Sequence, residues 1–338
     1  MNQKLESQNL YPLLFTPIYK AIMWGGDMLK SHLHREMPET DIPIGESWEI
    51  VDREDEASVV ENGALKGKTI RYLLENYGAN IMGDKFQGGK FPLLVKIIDA
   101  GKRLSLQVHP DETSSKLIPG AEPKTEMWYI IAAKPDANII AGLDYRCTKR
   151  SFIDDYATTA VEKCLQVSKS IPGDGYFIKA GTVHAIGAGN LLLEIQQNSD
   201  TTYRISDWGR LGVDGKPRQL HVEESMKCIN FTDRTSPKVC GVSGTTTHNR
   251  KFPVVKYCPF FNVDDLRLTT TWTDNTNGKS FHLLTAINRP FKIVNESSST
   301  TVEVGRNCLI PAAFGDYKIE VESGVETTVI KTIIYKTK

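Results

Sequence analysis

The chain has 338 residues, more than a single compact core ordinarily holds, so two domains are the first expectation. Lysine plus arginine and aspartate plus glutamate each total 41, which excludes the broad field that would draw nucleic acid or an anionic membrane yet leaves room for a local basic pocket and a small anionic ligand. The six cysteines, Cys147, Cys164, Cys228, Cys240, Cys258 and Cys308, stand far apart, which excludes a C-x-x-C zinc ribbon or redox pair and reads as reduced, mostly buried thiols.

The opening MNQKLESQNLYPLLFTPIYK has no apolar run of secretory length, and no later stretch approaches the ~18 apolar residues of a membrane span, so a soluble cytoplasmic protein is expected. Short β-type runs follow: SWEIVD, SVVENG, FPLLVKIID, LSLQVHP, MWYIIAA and NIIAGLD. Two segments break that rhythm, TIRYLLENYGANIM from Thr69 and SFIDDYATTAVEKCL from Ser151, because their apolar residues recur at helical rather than alternating spacing. Ahead of the first, NGALKGKTI offers Gly63, Gly67, Lys68 and Thr69 in the manner of a phosphate-binding loop. Its glycines stand one residue too close for the backbone amides to converge, so it reads as a turn entering a helix. From Gly173 strands resume as GYFIKAG, HAIGAG, NLLLEIQQ and TTYRISDW. HVEESMKCINF, acidic early and basic late as the helix dipole prefers, reads as a helix. TDRTSPKVCGVSGTTTHNRK suits a linker or long loop. The strand-like runs after it, from PVVKYCPFFNVDDLRL to TTVIKTIIY, suggest a second β-sandwich.

The candidate chemistry begins in LSLQVHP, where Gln107 and His109 occupy alternate strand positions and face the same side. Glu126 opens the apolar run after PKT, and His184 follows the glycine turn of KAGTVHAIGAG. Two imidazoles, one carboxylate and one amide oxygen suit a borderline ion such as zinc, with iron, manganese and cobalt still open. The spacing follows a cupin template: Gly101 leads to Gln107-x-His109, and Gly173 to Lys179-x-Gly181-x-x-His184. Gln107 stands where that template has a histidine and Lys179 where it has a proline, while an insertion from Asp111 to Pro123 delays the glutamate to Glu126.

From about Tyr11 to about Asn230, the blocks GESWEIVD, LSLQVHPD, EPKTEMWY, AGTVHAIGAG and LLEIQQNSDTTYRISDWGR resemble the type I mannose-6-phosphate isomerases in their short bacterial form. The resemblance implies a mainly β protein. A cupin or jelly-roll β-sandwich catalytic domain with a few helices would span about 1–235, and a smaller, cupin-like C-terminal β module about 245–338. It also implies an aldose–ketose isomerase that interconverts mannose 6-phosphate and fructose 6-phosphate with one Zn2+ per chain and a phosphosugar as its partner. Carried over residue by residue, the metal ligands fall on Gln107, His109, Glu126 and His184, the site arginine on Arg204 and the site lysine on Lys124.

Such a reaction moves a proton between C2 and C1 through an enediol, so it needs a proton carrier and a stabilised oxygen anion. Lys124 is the acid–base candidate. Arg204, which keeps its charge, suits a phosphate or enediolate oxygen. Glu194, in LLLEIQQ, is either a second base or the partner that orients a ligand or Arg204. Lys96, Lys102 and Lys179 are further cations for the phosphate, with Ser105 as a hydroxyl donor. His32, His34, His221, His248 and His282 read as structural or surface residues, and Trp24, Trp48, Trp128, Tyr129, Tyr203 and Trp208 chiefly as core. Two other functions share this scaffold: an iron-dependent dioxygenase and a non-catalytic cupin that binds a phosphosugar.

Overall fold

A computed structural model describes residues 10–212, 215–239 and 246–334; Cys240 lies outside them. The chain divides into two units, one made of Tyr19–Ser47 and Val95–Gly241, the other of Met1–Ile18, Trp48–Leu94 and Val242–Lys338. The expected split into 1–235 and 245–338 is therefore changed, because two early segments belong with the C-terminal strands. Leu13 and Leu14 pair with Leu309 and Cys308, and Leu10 is buried in the C-terminal core. Local patterning reveals a strand but not its distant partner.

The candidate site lies in a sandwich of two antiparallel sheets. The larger sheet runs in the order Lys238–Val239, Gly175–Ile178, Glu126–Ala133, Asn190–Gln197, Leu93–Ala100, Ile44–Ile50 and Ile18–Ala21. The smaller runs Tyr203–Ser206, Leu106–Val108, His184–Ile186, Asn138–Leu143 and Leu165–Lys169. Alternation decides what faces inward: Ile98, Trp128, Ile130 and Leu192 from the first sheet meet Ile139, Ala141 and Ile186 from the second. Each fully buried Leu or Ile side chain among them contributes roughly 1.5–3 kcal/mol of transfer free energy. The opposite residues of the smaller sheet, including Leu106, Val108 and Ile205, are covered by Phe152, Val161, Cys228 and Ile229 from the helical segments.

Those helices start and stop for local reasons. Thr148 accepts the Ser151 backbone N–H in a capping box, so the helix expected from Ser151 begins at Lys149 and ends at Asp155. Thr158 then caps a separate 3-10 turn over Thr159–Cys164. Val222–Cys228 is helical, with Glu223 and Glu224 in its first turn and Lys227 in its last. In the other unit Thr69 caps the helix Ile70–Met82, and NGALKGKTI is the turn leading into it. SVVENG forms no extended strand: Val59 and Val60 make isolated bridges to Thr69 and Phe15.

The C-terminal strands make a second sandwich. Its larger sheet runs Leu13–Leu14, Asn307–Ile310, His282–Ala286, Thr327–Ile333, Asn262–Leu268 and Arg250–Val255. The smaller runs Trp272–Asn275, Asp316–Glu320, Phe291–Val294 and Ser299–Val302. Leu284, Ile310 and Val329 pack against Phe291, Ile293 and Ile319. The mainly β, cupin-type architecture expected from the sequence is thus the one observed. The described cysteines Cys147, Cys164, Cys228, Cys258 and Cys308 are buried, and no described helix is long and apolar enough to cross a membrane.

Candidate functional site

Strand register builds the site. Across the smaller sheet Arg204 pairs with Gln107, and Gln107 pairs with His184 on its other side, so the three stand in one row with side chains on one face. Glu126 comes from the facing sheet, at the same parity as the inward Trp128 and Ile130. One ring nitrogen each of His109 and His184 and one carboxylate oxygen of Glu126 lie within 4.8 Å of one another, all buried.

The hydrogen bonds around these groups fix their chemistry. His109 Nδ1 lies 2.9 Å from the Thr201 carbonyl oxygen, and His184 Nδ1 lies 2.8 Å from that of Thr182. A carbonyl only accepts, so both Nδ1 atoms carry the proton and each neutral ring turns an Nε2 lone pair inward. Burial, reinforced by the Lys124 ammonium, pushes His109 down to about 3, and burial also lowers His184, so the rings stay neutral. Burial would raise the Glu126 carboxyl, but the Lys124 ammonium beside it opposes burial, and the carboxyl is held low and ionised. His109 Nε2 stands 3.3 Å from Glu126 Oε2 and His184 Nε2 3.5 Å from Oε1. His109 Nε2 and both Glu126 oxygens have no hydrogen-bond partner among the described residues. Lone pairs pressed against a carboxylate with no proton between them repel, and a divalent cation is the species that removes the repulsion. The donor set therefore fits a metal.

Gln107 stands beside this group with its amide reversed. Its Nε2 lies 3.1 Å from His184 Nε2, while Oε1 takes the Ser105 hydroxyl at 3.4 Å. A half-turn of the amide exchanges the two ends and makes it an oxygen donor.

A second buried group of charges shares the larger sheet's inward face. Lys96 Nζ lies 3.4 Å from Glu46 Oε2 and 3.6 Å from Glu194 Oε2, and Trp128 Nε1 donates to Glu194 Oε1 at 2.9 Å. Trp128 also meets the His184 ring edge-on at 5.3 Å, linking this group to the imidazoles. Burial, with Glu126 nearby, pushes Glu194 up to about 7 against the pull of Lys124 and Lys96. Lys124 Nζ lies 3.3 Å from Glu126 Oε2.

A family model for the catalytic domain of type I phosphomannose isomerases matches residues 13–144. A probable mannose-6-phosphate isomerase of Bacillus subtilis, GmuF, is 34% identical over 315 residues, spanning 92% of this chain and 96% of that one. The mannose-6-phosphate isomerase ManA of the same organism is 33% identical, over 91% and 96% of the two chains. The chain belongs to the type I mannose-6-phosphate isomerase family. The crystal structure of a Bacillus subtilis mannose 6-phosphate isomerase superposes with a TM-score of 0.84 at 29% identity, covering 96% of this chain and 99% of that one.

As a member of the mannose-6-phosphate isomerase family the chain is an isomerase, which sets aside the dioxygenase reading. The remaining residues expected at the site divide. Arg204, half-buried, donates through Nη1 to the Gln219 carbonyl at 2.7 Å and leaves its buried Nε without a partner on the row that carries Gln107. Burial and the neighbouring Arg218 lower its pKa from the ordinary arginine value. Of the spare cations, Lys96 reaches the buried group. Lys102 is exposed, and Lys179 is exposed and pairs with Asp233 at 3.4 Å. His282 is a buried structural residue, as expected.

Glu46, the Trp128 indole N–H and the Thr182 and Thr201 carbonyls were not singled out from the sequence. Glu46 had a signal: in SWEIVD and its flank it has the inward parity of Ile44 and Trp48, and an acid there needs a buried cation. The two carbonyls had none, because a backbone oxygen acquires its role only from the fold.

Proposed function

We propose that this chain interconverts mannose 6-phosphate and fructose 6-phosphate through an enediol, with a single zinc ion held by Gln107, His109, Glu126 and His184. The observation that carries the reading is the buried meeting of two imidazole lone pairs with the ionised Glu126. When bound, the ion would polarise the sugar oxygens at the reacting carbons and offset the charge that grows on them. Glu126 and the histidines hold that position, their rings fixed by the Thr182 and Thr201 carbonyls. Arg204, on the same row, holds an anionic oxygen of the substrate with its permanent charge. Lys124, acting as the free amine, takes the proton from one of the carbons C2 and C1 and returns it to the other. Its Nζ lies 3.3 Å from Glu126 Oε2 in a site where it is nearly excluded from water. Glu194, pinned by Trp128 and Lys96, orients the buried charges around that position.

A coupled assay for fructose 6-phosphate formation from mannose 6-phosphate, run beside metal analysis of the purified protein, tests this. The expected result is turnover that disappears on chelation and returns with zinc. Phosphosugar binding without turnover in the zinc-loaded protein would instead favour the non-catalytic cupin. For the proton carrier, Lys124→Met should stop exchange of the substrate C2 proton with solvent; exchange at the normal rate would pass that role to Glu194.

A further inference from the structure

The polar residues after Glu194 form a strap along the segment that precedes Glu126. Gln196, fully buried, donates through Nε2 to the Ser199 carbonyl at 2.6 Å and to the Gln197 carbonyl at 3.0 Å, which curls the chain back on itself. Gln197 then grips Thr125 twice: its N–H donates to the Thr125 carbonyl at 3.1 Å, and its Oε1 accepts the Thr125 N–H at 2.8 Å. The Ser199 hydroxyl, 1% exposed as a residue, donates to the Glu122 carbonyl at 3.0 Å and accepts the Thr201 N–H at 3.2 Å. Thr201 Oγ1 accepts the Glu122 N–H at 3.0 Å. The strap ends at the Thr201 carbonyl, which takes the His109 Nδ1 proton.

We propose that Ser199 and Thr201 are positioning residues whose hydroxyls set the metal affinity of the site by holding the Thr201 carbonyl against His109. Their two bonds to Glu122 tie the carbonyl that orients one ligand to the segment that carries another, Glu126. Both hydroxyls bond to backbone groups of the chain. With them removed, the 198–202 loop loses both of its bonds to Glu122, and the Thr201 carbonyl that fixes the tautomer and direction of the His109 ring is no longer tied to that segment. Groups that orient metal-ligating histidines in this way typically hold about 10- to 100-fold in metal affinity. The inference rests on the metal-site reading given above.

The test is the zinc dissociation constant, measured by competition with a chromophoric chelator on the full chain, together with the visible spectrum of the cobalt-substituted protein. Ser199→Ala and Thr201→Val, the second nearly isosteric, should each weaken zinc binding about 10- to 100-fold and shift the cobalt bands. Thr201→Ser, which restores the acceptor, should bind like the wild type. Ser168→Ala is the control: it removes a hydroxyl that meets the Tyr176 hydroxyl at 2.9 Å within the same unit but outside the strap, and should leave the affinity unchanged. Wild-type affinity in Ser199→Ala or Thr201→Val, or an equal loss in Ser168→Ala, would overturn the proposal while leaving the metal site standing. A wild-type chain that takes up no zinc in the same titration would remove both.

Discussion

The two sandwiches bury charge between their sheets in different ways. In the first, His109, Glu126 and His184 bring lone pairs and a carboxylate together, and three of their buried atoms have no hydrogen-bond partner among the described residues. In the second, the inward positions hold Asp274, His282, Tyr317 and Lys331. Lys331 Nζ meets Asp274 Oδ2 at 2.5 Å, and His282 Nδ1 meets the Tyr317 hydroxyl at 2.7 Å. None of these four side chains has an orphaned buried atom. The cation there is a lysine of the chain itself, so the cluster is electrically complete and needs nothing from solution. An inter-sheet polar cluster therefore marks a metal centre only when its donors outnumber its protons and cations. By that criterion the first cluster fits a metal, and the second is balanced by the chain's own charges.

The contrast predicts that substitutions in the two clusters fail differently. Arg204→Ala in the first should keep the metal and lose turnover by roughly 10²–10³-fold, the usual effect of removing a preorganised donor to a developing anion. Steady-state kinetics on the zinc-loaded variant checks this, and a normal rate would take Arg204 out of the site. Lys331→Met in the second should do the reverse. It strands a largely buried Asp274 carboxylate and costs about 3 kcal/mol of stability in denaturant titration, while zinc content per folded chain is unchanged. Pairing it with Asp274→Asn should recover most of that loss, and a full-sized loss in the double variant would mean that charge was not the cause.

The smallest effect sharpens the comparison through pH. Burial and the Lys331 ammonium hold His282 down at about 3, with Lys251 adding to them and Asp274 opposing, against an ordinary histidine value of 6.5. Below that ordinary value the unfolded chain takes up a proton that the folded chain refuses. The stability contributed by neutral His282 is therefore full above it and falls as the solution is acidified, by up to about 1.4 kcal/mol per pH unit. His282→Gln should flatten the stability curve between about pH 6 and pH 4. The same slope as wild type would show that the imidazole is not forced neutral.

The first sandwich was more legible than the second because its chemistry lies in side chains at fixed strand spacing. The i, i+2 relation of Gln107 and His109 put both on one face, and the glycine turn before His184 aimed it at the same place. Lys96 and Glu194 showed themselves as charges inside otherwise apolar strands. What decides the tautomers was hidden, since the Thr182 and Thr201 carbonyls have no residue signature. The reversed Gln107 amide was also hidden, because its two ends are equivalent until neighbours distinguish them. Lys179, offered by the sequence as a spare cation, pairs with Asp233, a partner too distant in sequence to be read from it. In the C-terminal sandwich no local pattern foretold that Asp274 and Lys331, on different sheets, would neutralise each other. Nor did any foretell that residues near the start of the chain would join its core.

The most direct test is zinc content after exhaustive dialysis, compared between the wild type, Glu126→Gln and His282→Gln. The expected result is a single tightly held ion in the wild type and in His282→Gln, and none in folded Glu126→Gln. Zinc retained in full by Glu126→Gln, or lost from His282→Gln, would contradict a metal centre built on His109, Glu126 and His184.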